Sequence, residues 1–109
     1  MAQQKLLSDS PQNLLKKYRK VLEDQHLTID KLILFGSFAK NTHHIASDLD
    51  VCVVSKEFGK DAFGEMIMLA KYAATVDSLI EPHPYSPEDL ADQWDPQANE
   101  IRKYGIVIE

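Results

Sequence analysis

Asp48 and Asp50 stand two residues apart at the head of an apolar run, Leu49 to Ser55. On a strand, residues i and i+2 point to the same face, so the two carboxylates project together. An Asp-x-Asp at a strand edge is by itself more often a solvated strand end. Yet two like charges at the margin of a hydrophobic core repel each other and resist loss of water. A divalent cation between them relieves both costs. Mg²⁺ suits hard oxygen ligands, seldom takes more than one or two protein carboxylates, and completes its shell with water and phosphate oxygens. The pair therefore reads as a metal site for a nucleoside triphosphate.

Separated from Asp48 by ten residues, Gly36-Ser37 stops another apolar run, Lys31 to Phe35. Glycine and a small hydroxyl residue after a buried strand let the backbone turn sharply and approach a ligand closely. Were a helix to start there, its free N–H groups and positive dipole end would favour an anion. Gly-Ser after a strand is usually only a turn. What is unusual is both features in register with two apolar strands. Phosphates would then sit between the Gly36-Ser37 amides and a metal held by Asp48 and Asp50.

The elements that must position these residues follow from periodicity. Ser10-Pro11 reads as an N-cap with proline in the first helical turn. Leu14, Leu15, Tyr18, Val21 and Leu22 then recur at helical spacing opposite Lys16, Lys17, Arg19 and Lys20, giving about four turns. Lys31–Phe35 and Leu49–Ser55 read as buried strands. A helix from near Asp61 is expected to turn Phe63, Met66, Ile67, Ala70, Ala73 and Ala74 to the core. Val76–Glu81 reads as a strand ended by Pro82 and Pro84. Ser86-Pro87 starts another helix, Ala98–Tyr104 a last one capped by Gly105, and Ile106–Ile108 closes the sheet. The expectation is one α/β (α+β) domain over residues 1–109, with a three- or four-stranded mixed sheet flanked by helices.

Phe35-Gly36-Ser37 followed by Ser47-Asp48-Leu49-Asp50-Val51 resembles the signature of the polymerase beta-type nucleotidyltransferase superfamily. The short chain is similar to its minimal nucleotidyltransferase branch, and the resemblance runs from the first strand to Gly105-Ile106. It implies that Gly36 and Ser37 cradle the triphosphate and that three carboxylates bind two divalent ions, Mg²⁺ with Mn²⁺ as an alternative. It also implies in-line transfer of a nucleoside monophosphate from ATP or another NTP to an acceptor hydroxyl. Asp48 and Asp50 would be two of the carboxylates. Glu81 and Asp77 compete for the third, and Glu81 is favoured because it directly precedes Pro82-His83-Pro84-Tyr85, like an acidic-Pro-x-Pro-aromatic stretch in relatives. Asp77 would instead cap the helix-to-strand connection. The family's basic residue and glycine after Gly-Ser appear here as Lys40 and Asn41; asparagine tolerates a left-handed backbone, and Lys40 keeps a charge for a phosphate.

Other residues invite blander readings. Adjacent His43 and His44 in a polar loop are expected to be solvated, His83 to touch the site from its periphery, and His26 to favour a helix C-terminus. The Lys16–Lys20 cluster reads as the wet face of its helix. Cys52 reads as a buried structural thiol, and Met66-Ile67-Met68 as core. Trp94 lies in a polar segment as an anchor for the last helix or for a partner.

The chain has 109 residues and a 44% hydrophobic, 27% charged composition, enough to bury about two-thirds of its unfolded surface. Twelve Lys+Arg against seventeen Asp+Glu give −5, which argues against the basic groove of a template-directed polymerase, so no DNA template is expected. One cysteine excludes an internal disulfide, no apolar run suits a membrane, and MAQQKLLSDSP has no signal-peptide core; a cytoplasmic protein is expected. The resemblance further implies a partner that brings the acceptor, a HEPN-type helical protein or a second copy, as in toxin–antitoxin pairs where the nucleotidyltransferase is the antitoxin. The competing reading is a non-catalytic module that neutralises such a partner by covering it, which an exposed patch of Trp94, Tyr85 and Tyr104 would favour. Antibiotic nucleotidylation is weaker, for want of a sugar-binding domain.

Overall fold

The computed structural model describes residues 7–44 and 47–109. Residues 1–6, where the segment read as lacking a signal peptide begins, and residues 45–46 of the loop before Asp48 lie outside the described residues. The elements are α1 (Pro11–Asp24), β1 (Lys31–Phe35), β2 (Leu49–Val54), α2 (Ala62–Ala73), β3 (Ile80–Tyr85), α3 (Pro87–Leu90), α4 (Pro96–Tyr104) and β4 (Ile106–Ile108). They build a four-stranded mixed sheet in the order β3-β2-β1-β4. β1 pairs antiparallel with β2 and β4, and β2 pairs parallel with β3. The parallel pair needs a crossover, and α2 supplies it.

Alternation along the strands sorts side chains into two layers. Leu32, Leu34, Leu49, Val51, Val53 and Ile80 pack against Leu14, Leu15, Tyr18 and Leu22 of α1 and Leu69 and Ala73 of α2. Ile33, Phe35, Cys52, Val54 and Tyr85 face the other way, against Ala98 and Ile101 of α4. A buried hydrogen bond from the Tyr18 hydroxyl to the Leu69 carbonyl, 2.7 Å, ties α1 to α2. Capping follows the sequence: the side chains of Ser10, Asp61, Ser86 and Asp95 accept backbone N–H groups at the starts of α1 to α4. Gly105 ends α4 in extended conformation, where a Cβ would strike the Ile101 carbonyl and Ile33.

Two expectations change. Val76–Leu79 is turn, and the strand starts at Ile80 and runs through both prolines. The carbonyls of Leu79 and Tyr85 accept the N–H groups of Leu49 and Ser55. Odd-numbered residues of β3 therefore face β2 with their backbones, and Pro82 and Pro84 turn their nitrogens to the free edge. Proline is tolerated there because no ladder bond is lost. Second, Phe63 and Ile67 of α2 are exposed, at 77% and 53%, as are Ala70 and Ala74. The helix is apolar around most of its circumference, so periodicity does not single out one face; the contact with Tyr18 selects Leu69 and Ala73. His26 directly follows the C-cap Gln25 at φ +64° and closes α1, its N–H on the Glu23 carbonyl at 3.0 Å.

Candidate active site

Gly36 follows β1 with φ +74°, a left-handed conformation that disfavours any Cβ. Its Cα also lies against the Asp50 side chain: an added Cβ would meet Oδ2 and come within 3.2 Å of Cγ. The chain then makes one helical turn, closed by the Lys40 N–H on the Gly36 carbonyl (3.1 Å) and the Thr42 N–H on the Ser37 carbonyl (2.9 Å). Asn41 takes φ +57°, the left-handed backbone expected of a residue standing in for glycine. The Gly-Ser turn and the head of β2 are thus one packed unit.

Across the parallel pair, Asp50 stands opposite Glu81, and Cys52 opposite His83. Carboxylate oxygens of Asp50 and Glu81 and a ring nitrogen of His83 all lie within 4.8 Å of one another. Asp48, exposed, immediately precedes β2, near enough to the Glu81 carboxyl to influence it. Partial loss of water raises the Glu81 carboxyl pKa above its usual value, and the Asp50 charge raises it further. A hydrogen bond to Asp48 acts the same way, while His83 pulls in the opposite direction. The crowding of three carboxylates is the electrostatic signature of a place where positive charge belongs. The hard oxygen donors of Asp48, Asp50 and Glu81 fit a divalent cation such as Mg²⁺ or Mn²⁺.

Asp77 stands apart from this group. It lies in the turn before β3, where Oδ2 accepts the Ser8 N–H (3.0 Å) and hydroxyl (2.9 Å) and Oδ1 accepts the Leu79 N–H (2.9 Å). It caps the connection and does not share a strand face with Glu81. The Lys40 ammonium pairs with Glu100 and lies 5.1 Å from the centre of the Tyr104 ring, which ties the turn to α4. His43 and His44 are exposed, with the His43 ring stacked on Phe38 at 4.1 Å. Cys52 is buried, and burial pushes its thiol pKa up to about 12. An inert structural thiol results.

Sequence reasoning missed a polar chain behind His83. His83 Nε2 lies 3.3 Å from Asp50 Oδ1, and its ring meets Phe35 edge-on at 5.0 Å. Nδ1 faces the Gln97 side-chain amide at 3.5 Å, and that amide also donates to the Tyr85 hydroxyl at 3.0 Å. Tyr85 donates in turn to Asp95 Oδ2, 3.0 Å away. An open pocket of about 350 Å³ adjoins this chain and is lined by His83, Tyr85, Asp95 and Gln97, among others, but by neither Asp50 nor Glu81. No sequence signal marks Gln97: its contact exists only because the first turn of α4 crosses the β3 side of the sheet.

The four-stranded mixed sheet flanked by helices has the fold of solved nucleotidyltransferase structures. The nucleotidyltransferase domain profile matches residues 15–105, and the chain belongs to that family. It is 28% identical over 101 residues, 87% of this chain and 95% of the other, to MJ0141 of Methanocaldococcus jannaschii, a candidate protein adenylyltransferase. A second such protein of that organism, MJ1379, is 32% identical over 59 residues, 54% of this chain and 58% of its own length. Among solved structures, a candidate nucleotidyltransferase from Sulfolobus solfataricus superposes with TM-score 0.64 at 16% identity, covering 88% of this chain and 77% of that one. A toxin–antitoxin structure with AMP-PNP gives 0.62 at 23% identity, covering 90% and 72%. These structures share the fold. Among the described residues no helix is long and apolar enough to cross a membrane.

Proposed function

We propose that this chain transfers a nucleoside monophosphate, AMP from ATP, to an acceptor hydroxyl on a protein. The observation that carries the reading is the meeting of Asp50 and Glu81 across β2 and β3, with Asp48 beside them and Gly36 packed on Asp50. Asp48, Asp50 and Glu81 would hold divalent cations, which supply charge neutralisation for the triphosphate and activation of the hydroxyl. Gly36 and Ser37 cradle the β- and γ-phosphates with backbone N–H groups of the turn. Lys40 adds a positive charge on the same turn by exchanging its exposed pairing with Glu100 for a phosphate. Glu81 orients the acceptor hydroxyl and takes its proton. The hydroxyl oxygen bonds to the α-phosphorus while the bond to the bridging oxygen breaks, and pyrophosphate leaves with that electron pair.

AMP is favoured over other nucleotides because the curated relatives are named as protein adenylyltransferases and a fold neighbour was solved with AMP-PNP. A protein partner, a HEPN-type toxin or a second copy, is supported by the toxin–antitoxin fold neighbours. Incubation with ATP labelled at the α- or the γ-phosphate tests the reading, with the acceptor sought on the chain itself and on the product of the neighbouring gene. The reading expects label from the α-position only, lost in Asp50→Asn. Tight Mg-ATP binding with no transfer to either would overturn it.

One observation favours the second reading, a module that acts by covering its partner. Trp94 is 83% exposed, and Phe63 and Ile67 of α2 are exposed with it. Of the three residues expected to form an exposed patch, Trp94 and Tyr104 are exposed and Tyr85 is buried in the sheet. Partner neutralisation that survives Asp50→Asn would identify this role.

A further inference from the structure

The direction of each hydrogen bond behind the carboxylate group follows from elementary donor and acceptor rules. The Asp95 carboxylate only accepts, so the Tyr85 hydroxyl must donate to it. The Tyr85 oxygen is then free to accept, and the Gln97 amide must present its NH₂ end to it. The same NH₂ faces His83 Nδ1 at 3.5 Å, so Gln97 and Asp50 meet the two ring nitrogens. Nε2 lies 3.3 Å from Asp50 Oδ1, and because that carboxylate only accepts, Nε2 is the donor between them. The edge of Phe35, the residue before the glycine turn, holds the ring in that orientation.

We infer that His83 is a positioning residue for Asp50, donating from Nε2 to Oδ1, with its ring held in place by the Gln97, Tyr85 and Asp95 chain. The inference rests on the reading of Asp50 as a ligand of a divalent cation. It assigns His83 a role outside the metal's own ligand set, although its ring lies close enough to Asp50 and Glu81 to be one. While Nε2 donates to Asp50, that nitrogen has no lone pair to give a metal. One oxygen of Asp50 is pinned by the imidazole, and the other lies against the Gly36 backbone. The carboxylate thus has one orientation imposed from two sides. Partners of this kind typically change metal affinity by about 10- to 100-fold when removed.

Nitrogen NMR of the native, metal-free protein reads the ring nitrogens directly, and a proton on Nε2 is expected for His83. A bare Nε2 would overturn the inference. Mn²⁺ titration followed by electron paramagnetic resonance supplies the second readout. His83→Leu is expected to weaken Mn²⁺ binding by about tenfold, at the low end for such partners. His83→Gln, whose amide can accept from Gln97 and donate to Asp50, should recover most of that loss. Equal affinity in native and His83→Leu protein, or no recovery in a folded His83→Gln, would overturn the inference and leave the metal site standing. Nitrogen coupling from a histidine directly bound to Mn²⁺ would also overturn it, making His83 a ligand. No Mn²⁺ binding by the native chain would overturn the metal reading and the inference with it.

Discussion

Gly36 and Asp50 compete for one volume: a Cβ on Gly36 would strike the Asp50 carboxylate, 3.2 Å from its Cγ. The backbone at Gly36 is left-handed as well, at φ +74°. The turn that would cradle phosphates and the carboxylate that would hold metal are therefore built against each other, and neither can be altered alone. Gly36→Ala should cost at least about 1 kcal/mol from the backbone conformation, or about 4–8 °C in Tm for a domain of this size. It should also abolish Mn²⁺ binding. A variant with native Tm and native metal affinity would show that the contact is not tight in solution.

Glu81 gives a pH dependence whose sign can be worked out. Its folded-state pKa lies above the ordinary value of 4.5, so the folded protein binds this proton more readily than the unfolded chain. The resulting stability is full below about 4.5 and is lost as pH rises through the raised folded value. At neutral pH, without metal, ionised Glu81 therefore works against the fold. Glu81→Gln should raise the metal-free Tm at pH 7 and flatten the pH profile in that window. Because Glu81 is exposed, the gain stays under about 1 kcal/mol. A lower Tm would contradict the repulsion between Glu81, Asp50 and Asp48.

The fold, and where it places most of the candidate site residues, could be read from the chain because the signals are local. Ser10-Pro11 and Ser86-Pro87 announce helix starts, and Leu49–Val54 is an unbroken apolar run ready to be a central strand. Gly36 and Asp50 needed only their places at strand ends. What was not legible depended on contacts between elements. The prolines of β3 read in sequence as the end of a strand, and only the free edge of the sheet explains why they are not. The face of α2 was undecidable in a helix apolar on nearly every side. Gln97 has no local mark of function, since its role exists only where α4 meets β3.

Tyr18 carries the contact that chose the face of α2. Burial pushes its hydroxyl pKa far above 10, so it remains a donor to the Leu69 carbonyl at any ordinary pH. Tyr18→Phe removes that one bond and should cost about 1 kcal/mol. Chemical denaturation would measure the loss as a lower midpoint with an unchanged slope. No loss would mean that packing alone seats α2.

Lys40 and Glu100 make opposite predictions for nucleotide binding. Their pairing draws the ammonium towards α4. Glu100→Gln should free Lys40 for a phosphate and tighten Mg-ATP binding, whereas Lys40→Met should weaken it. Calorimetric titration of the two variants distinguishes this from a purely structural pair, for which both affinities would equal the native one.

The central claim is that Asp48, Asp50, Glu81 and the Gly36-Ser37 turn form one metal–nucleotide site. Thermal melting with ATP and Mg²⁺, on the native chain and on Asp48→Asn/Asp50→Asn, tests it most directly. Ligand at about 100 times its Kd adds about 2.7 kcal/mol, a rise of several degrees. The account predicts that rise in the native chain and none in the double variant, which should itself melt higher than the native chain without ligand. Equal shifts in both proteins, or none in either, would contradict it.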